Sequence, residues 1–171
     1  MKLKCYFAHP FELHESEEEK RIIKILKERR VEIINPFDKE DKLCKKYNVK
    51  NYYDGSIYKH AREIWITDLQ LIKQSNLVVV YLPENMRAIG TAAELMFALE
   101  WQKTKRNFNK HLRKKFGLGI MKRKDEPFLI QIISPIKHPL FAYALMYGNQ
   151  YYESIDDFER FRQSRWKDEN Y

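Results

Sequence analysis

Residues 77–82 read LVVVYL, six consecutive apolar positions between Asn76 and Pro83. A run of that length, β-branched at its centre and closed by a proline, predicts a strand covered on both faces in the middle of a parallel sheet. Upstream, residues 57–74 change to a 3.6-residue period, with Ile64, Trp65, Leu71 and Ile72 on one face of an expected helix. Further upstream, 3–8 predicts a first strand ended by His9-Pro10. Acids at 15–19 followed by Ile22, Ile23, Ile25 and Leu26 predict a helix to about Arg30, and 31–34 predicts a second strand stopped by Asn35-Pro36. The polar residues 36–56, with a turn at Asp54-Gly55, read as a long loop with room for one helical turn. Downstream of the central strand, a helix is expected from about Ala92 to Gln102, a strand at FLIQII (128–133) and a helix at 155–165. The stretch 138–152 suits either a helix or a helix followed by a strand. This alternation specifies an α/β fold, three-layered and flavodoxin/Rossmann-like, with a mostly parallel central sheet. Ligands in such sheets sit at the carboxyl ends of strands where the strand order reverses, so function is sought in loops 8–14 and 82–91.

The 171 residues suit a single domain spanning 1–171, and 44% hydrophobic residues suffice for a core. No apolar run approaches the roughly 18 residues of a membrane helix, and the first residues, MKLKCYFAHPF, do not read as a signal peptide. Two cysteines, Cys5 and Cys44, cannot make a disulfide framework or a four-ligand zinc site, so a cytoplasmic protein with reduced thiols is expected. The net charge of +8 is concentrated: residues 101–124 hold ten Lys or Arg and no acid, leaving 22 bases against 24 acids elsewhere. The segment at about 103–125 therefore reads as a basic insertion, and the basic character belongs to it and not to the fold. There is no GxGxxG, no phosphate-binding P-loop, no paired Cys/His spacing and no G-x-S-x-G, and neither metal nor cofactor is implied.

Two carboxylates stand out. Asp68 falls in the middle of the apolar stripe 64, 65, 71, 72, where a charge needs a partner or a purpose. It is either a structural acid bonded to a loop or a functional one. Glu94 is the one charged residue in AAELMFAL (92–99). Its plainer reading is a capping box, with Thr91 as N-cap and Glu94 reaching back to its amide; its functional reading rests on the helix opening at the end of the central strand. Gly90 there would let a ligand approach the backbone closely. His9 and Pro10 are candidates by position beside the expected crevice. Tyr6, within the first strand, is either a core aromatic or a hydroxyl offered to that crevice.

Taken together, CYFAHPF (5–11), ITDLQLI (66–72), LVVVYLP (77–83) and IGTAAELMFAL (89–99) resemble the nucleoside 2-deoxyribosyltransferase superfamily, which includes nucleoside 5′-monophosphate N-glycosidases. The resemblance spans residues 3–100, and the GT-x-x-E helix start is its sharpest element. It implies that Glu94 is the nucleophile, that Asp68 assists nearby and that Tyr6 contacts the carboxylate or the sugar. Such residues suit N-glycosidic bond cleavage, because a carboxylate can stabilise or capture an oxocarbenium-like C1′. Water as acceptor makes a hydrolase and a second base a transferase.

Six residues before Glu94 the resemblance departs, with Ala88 where transferases of the family tend to carry an acid and monophosphate hydrolases a serine. Arg87 is then a candidate phosphate contact, with His9, Pro10, Gly90 and Thr91 as further substrate-binding candidates. The resemblance also implies a homodimer or higher oligomer in which a neighbour's C-terminal segment completes the site, Asn149 and Gln150 being candidate donors. The competing reading is a non-catalytic nucleotide- or nucleic-acid-binding protein that uses residues 101–124, where cations are interleaved with Trp101, Phe108, His111 and Phe116.

Overall fold

The structure, a computed structural model, describes residues 3–48, 60–84, 88–116 and 128–165. Five strands, β1 (Lys4–Ala8), β2 (Glu32–Ile34), β3 (Leu77–Tyr81), β4 (Leu129–Ile133) and β5 (Gln150–Tyr152), form one parallel sheet in the order β2-β1-β3-β4-β5. This is the flavodoxin-like order, and its reversal lies between β1 and β3. The expected central strand is the middle of the sheet, and all five of its residues are buried. In register, Tyr6 pairs with Val78 on one side and Ile34 on the other.

The strands' two-residue period divides the core into two layers. Tyr6, Ala8, Val78, Val80, Ile130 and Ile132 point to the face covered by α3 (Ala61–Gln74), α4 (Ile89–Phe116) and α5 (Pro139–Met146). Cys5, Phe7, Leu77, Val79 and Tyr81 point to the other, covered by α1 (Glu17–Glu28) and α6 (Ile155–Arg165). The start of α1 follows from its sequence: Ser16 caps it by accepting the Glu19 amide at 3.1 Å, and three glutamates fill the first turn.

Three segments differ from the sequence reading. The expected loop after β2 is instead a ten-residue helix, α2 (Phe37–Lys46). Asn35-Pro36 ends a strand, as expected, but it also starts a helix: the Asn35 side chain accepts the Phe37 amide at 3.1 Å, and Pro36 stands where a proline favours helix initiation. Residues 49–59, including the expected turn at Asp54-Gly55 and the start of the expected helix 57–74, lie outside the described residues. The third helix of the alternation was expected over 92–102, but α4 begins at Ile89 and continues through 14 further residues to Phe116. Lys, Arg and Gln are strong helix formers, and neither Gly nor Pro occurs between Thr91 and Phe116, so nothing local stops it. The first part of the expected basic insertion is thus helix, and 117–125 lie outside the described residues. The ambiguous stretch 138–152 is α5 followed by β5, separated at Gly148, whose φ of 72° ends the helix in the left-handed conformation.

Candidate active site at the end of the central strands

Tyr6 is fully buried in β1 on the α3/α4 face, and its hydroxyl donates a hydrogen bond to Oε1 of Glu94. Glu94 itself is buried, one turn into α4 and next to Leu95 of the same core layer. The capping-box reading of Thr91 and Glu94 is corrected here. The Ala88 carbonyl accepts the Ala92 amide, so the helix starts before Thr91, which is a buried residue of its first turn and not its cap. Asp68 is buried on α3, one turn ahead of Leu71 and Ile72, which pack in the layer that holds Tyr6 and Leu95. The helices α3 and α4 pack against each other. Strand β1 and two adjacent helices therefore bring a phenol and two acids into one buried layer beside the sheet's reversal point.

Gly90 is exposed at the opening of α4, and a Cβ there would meet no atom of the described residues within 4 Å. The fold itself gives no reason for a glycine at that place. Arg87 lies outside the described residues.

His9 goes elsewhere. Following Phe7 in the strand alternation, its ring turns to the α1 side, where it packs at 4.6 Å from Phe7 and 4.9 Å from Phe37. Its Nδ1 lies 3.0 Å from the carbonyl of Pro10, itself buried, and its Nε2 lies 3.2 Å from Glu19. Both ring nitrogens thus face oxygen atoms of the chain.

Glu19 is a residue that sequence reasoning missed. It is 3% exposed and collects the Glu15 amide, the Asn35 side-chain amide at 2.9 Å, His9, and His14 at 3.5 Å. Burial pushes its carboxyl up, but the bonds from His9 and the Glu15 amide and the charges of His9 and His14 outweigh it and hold the group at about 2. The carboxylate thereby ties the loop after β1 to α1 and to the end of β2. The signal for it was the Ser16-x-x-Glu19 spacing, which marks a helix start and a side chain that reaches back.

Asn149 and Gln150, the candidate donors to a neighbour, are hydrogen-bonded within their own chain. Asn149 is buried: its Nδ2 donates to Gln102 Oε1 (3.0 Å) and the Ala144 carbonyl (2.9 Å), and its Oδ1 accepts from Gln102 Nε2 (2.8 Å) and the Ile130 amide (3.0 Å). Gln150 accepts from Gln131 Nε2 at 2.5 Å and from the Tyr152 hydroxyl at 2.9 Å.

Among the described residues no cluster of His, Cys, Asp and Glu is arranged to hold a metal ion. Both cysteines are free thiols and buried; burial pushes Cys5 up to about 12, which makes it inert. An open depression of about 420 Å³ lined by His60, Arg62, Glu63, Ile66, Thr67 and Gln70 lies on the α3 face opposite Asp68, away from the Tyr6–Glu94 pair. No described helix is long and apolar enough to cross a membrane.

No protein-family model matches the sequence, and no curated protein matches it. Solved structures do. A 2-deoxyribosyltransferase from Bacillus psychrosaccharolyticus superposes with a TM-score of 0.53 at 18% identity, covering 91% of this chain and 90% of its own. A CMP N-glycosidase of Clostridium botulinum, BcmB, superposes with a TM-score of 0.52 at 14% identity, covering 93% of this chain and 97% of its own. The chain therefore has the fold of these two nucleoside- and nucleotide-processing enzymes over nearly its whole length.

Proposed function

We propose that the protein cleaves the N-glycosidic bond of a nucleoside or nucleoside 5′-monophosphate, with Glu94 as nucleophile. The observation that carries this reading is the hydrogen bond from Tyr6 to Glu94, buried beside the reversal point of the sheet where open α/β folds bind ligands. The fold shared with a deoxyribosyltransferase and a CMP N-glycosidase supports it.

In the proposed reaction the Glu94 carboxylate attacks C1′. The C1′–N bond breaks, its electron pair leaves with the base, and a glycosyl ester forms on Glu94. Tyr6 fixes one carboxylate oxygen and orients the attack. Asp68 supplies the proton to the departing base or holds it. Water then attacks C1′, releasing the sugar and restoring the carboxylate; a second base in its place gives transfer. Gly90 and Thr91 at the start of α4, Pro10 and Arg87 are the proposed substrate contacts, and His9 acts by holding the loop that bears Pro10. Ala88 matches neither the acid that transferases tend to carry nor the serine of monophosphate hydrolases, so release with and without an acceptor base decides between hydrolysis and transfer.

A second copy of the chain is the proposed partner. Among the described residues, the seven exposed large hydrophobics belong to the α3–α5 layer or to the loop leading into α5, among them Trp65, Met96, Ile89 at 83% exposure and Met146 at 82%. None of these seven lies on the α1/α6 layer, and a one-sided apolar surface suits self-association. Free cysteines suit a reducing compartment, the cytoplasm.

The test is release of free base from a panel of ribo- and deoxyribonucleosides and their 5′-monophosphates, followed by chromatography, with and without an acceptor base. Release that is lost in Glu94→Gln supports the proposal. A folded Glu94→Gln protein with full activity, or no release from any member of the panel, overturns it.

A further inference from the structure

The last 14 residues of α4 carry seven cations, from Lys103 to Lys115, and no acid. Their place in the fold is marked by Gln102. Its side chain donates to the carbonyl of Phe128, the residue before β4, at 2.7 Å. Because α4 runs back from the carboxyl end of β3 to the start of the parallel β4, at Gln102 it has reached the amino edge of the sheet. Lys105 then lies over the Phe128 ring (5.6 Å), and Arg106 donates to the Tyr147 carbonyl (2.5 Å). Ten more helical residues, about 15 Å, follow beyond Arg106. Lys73, at the end of α3, joins the same edge: its Nζ is 5.2 Å from the Trp101 ring, which Lys105 approaches from 5.8 Å. This end of the molecule is opposite the Tyr6–Glu94 site.

We propose that this basic end of α4, with Lys73 at its root, is a docking surface for the phosphate backbone of a nucleic acid, separate from the nucleoside site. Few of its described cations meet a carboxylate within the chain. Some cations elsewhere have carboxylate partners, such as Arg21 with Asp156 and Glu159 or Lys46 with Glu63. Among the described side chains of this stretch only Lys103 has one, Glu100 at 3.5 Å, while Lys73, Lys105 and Arg106 have none. Like charges at helical spacing repel, and a bound polyanion would relieve that repulsion.

The charge spacing fits a polyphosphate. Seven cations between Lys103 and Lys115 give a mean spacing of about 3 Å along the helix, between the roughly 1.7 Å per phosphate of a duplex and the 3.4 Å of one strand. A bilayer surface fits less well, because a helix lying on lipid needs a broad apolar face and residues 103–116 contain just Phe108, Leu112 and Phe116 as large apolar residues. Phe108 and Phe116, interleaved with cations in the sequence, instead suit stacking on bases.

The experiment is fluorescence anisotropy of the full chain with labelled 20-nucleotide single-stranded and duplex DNA from 50 to 300 mM KCl, beside flotation with vesicles of phosphatidylglycerol and phosphatidylcholine. Expected is binding at 50 mM KCl that weakens at least about tenfold by 200 mM. Joint Lys110→Gln, Arg113→Gln, Lys114→Gln and Lys115→Gln changes should weaken it at least about tenfold. They should also make the single-strand log–log salt slope shallower by about 3, the loss of four phosphate contacts. Joint Lys110→Arg, Lys114→Arg and Lys115→Arg changes should keep both affinity and slope. No DNA binding at 50 mM, a salt slope of the unmodified chain near zero, an unweakened Gln variant, or capture by the vesicles in place of DNA each overturns the proposal. The result does not depend on whether the Tyr6–Glu94 site cleaves nucleosides.

Discussion

Tyr6 and Glu94 stand 88 positions apart in the chain and meet through a hydrogen bond from phenol to carboxylate, both side chains buried. Strand β1 supplies one and the first turns of α4 the other, so the pair forms only when β1 lies beside β3. A hydrogen bond to a charged group contributes about 1.5–3 kcal/mol. If the phenol orients the attacking carboxylate, Tyr6→Phe should lower kcat about 10- to 100-fold on the substrate found by base release, with KM changed far less. Glu94→Gln, which removes the nucleophile while keeping the shape, should lower kcat more than about a thousandfold. Steady-state kinetics of both variants, beside thermal melts showing intact folding, checks this. Equal losses in the two would mean that Tyr6 does more than orient.

Glu19 gives the fold a defined acid sensitivity. Its carboxyl is held at about 2 against an ordinary 4.5, so the folded state binds this proton less readily than the unfolded chain does. The stability it contributes is complete above about pH 4.5 and is lost as the pH falls towards 2. Glu19→Gln should therefore destabilise the protein at pH 7 and give a flatter stability curve between pH 4.5 and 2.5. Urea unfolding across that range measures both. A variant whose curve keeps the original slope would show that other carboxylates control acid unfolding.

The amide pair Gln102–Asn149 joins α4 to the strand edge and predicts a large loss on truncation. Asn149→Ala would leave the Ile130 amide and both polar atoms of the Gln102 side chain short of a partner in a buried place. Each unsatisfied buried group costs about 1–3 kcal/mol, so a loss of about 2–4 kcal/mol and a clearly lower Tm are expected. Gln102→Ala, which removes fewer bonds, should cost less. Calorimetry of the two variants decides the order.

Apolar runs and helix periods made the parallel sheet readable from LVVVYL outward, because a buried strand leaves no choice of residue type. Asp68 and Glu94 were legible for the same reason, as charges in stretches that packing would otherwise make apolar. What local pattern cannot carry is contact over long chain separation. Asn149 and Gln150 were candidate donors to a neighbour's site by the resemblance, and only the closed fold shows them bonded to Gln102 and Gln131. His9 was placed beside the crevice by its loop, yet the strand's alternation sends its ring to the opposite face. The residues 37–46 were missed as a helix because a polar, charged segment with few apolar positions has little periodicity to read, and its start signal, Asn35, doubled as a strand stop.

Gly90 separates what the fold needs from what a ligand needs. It occupies an early helical position with open space where a Cβ would stand, and alanine is favoured over glycine in helices by up to about 1 kcal/mol. On the fold's account alone, Gly90→Ala should raise Tm slightly and do nothing else. If substrate approaches the backbone at the start of α4, the same methyl occupies that space and should raise KM several-fold while kcat changes little. The effect should be larger for a 5′-monophosphate than for its nucleoside if the phosphate is the group that meets the helix start, where unpaired amides favour an anion. Kinetics on a matched nucleoside and nucleotide pair therefore reads the substrate's orientation directly. A more stable variant with unchanged KM for both would place the bound sugar and phosphate away from this turn.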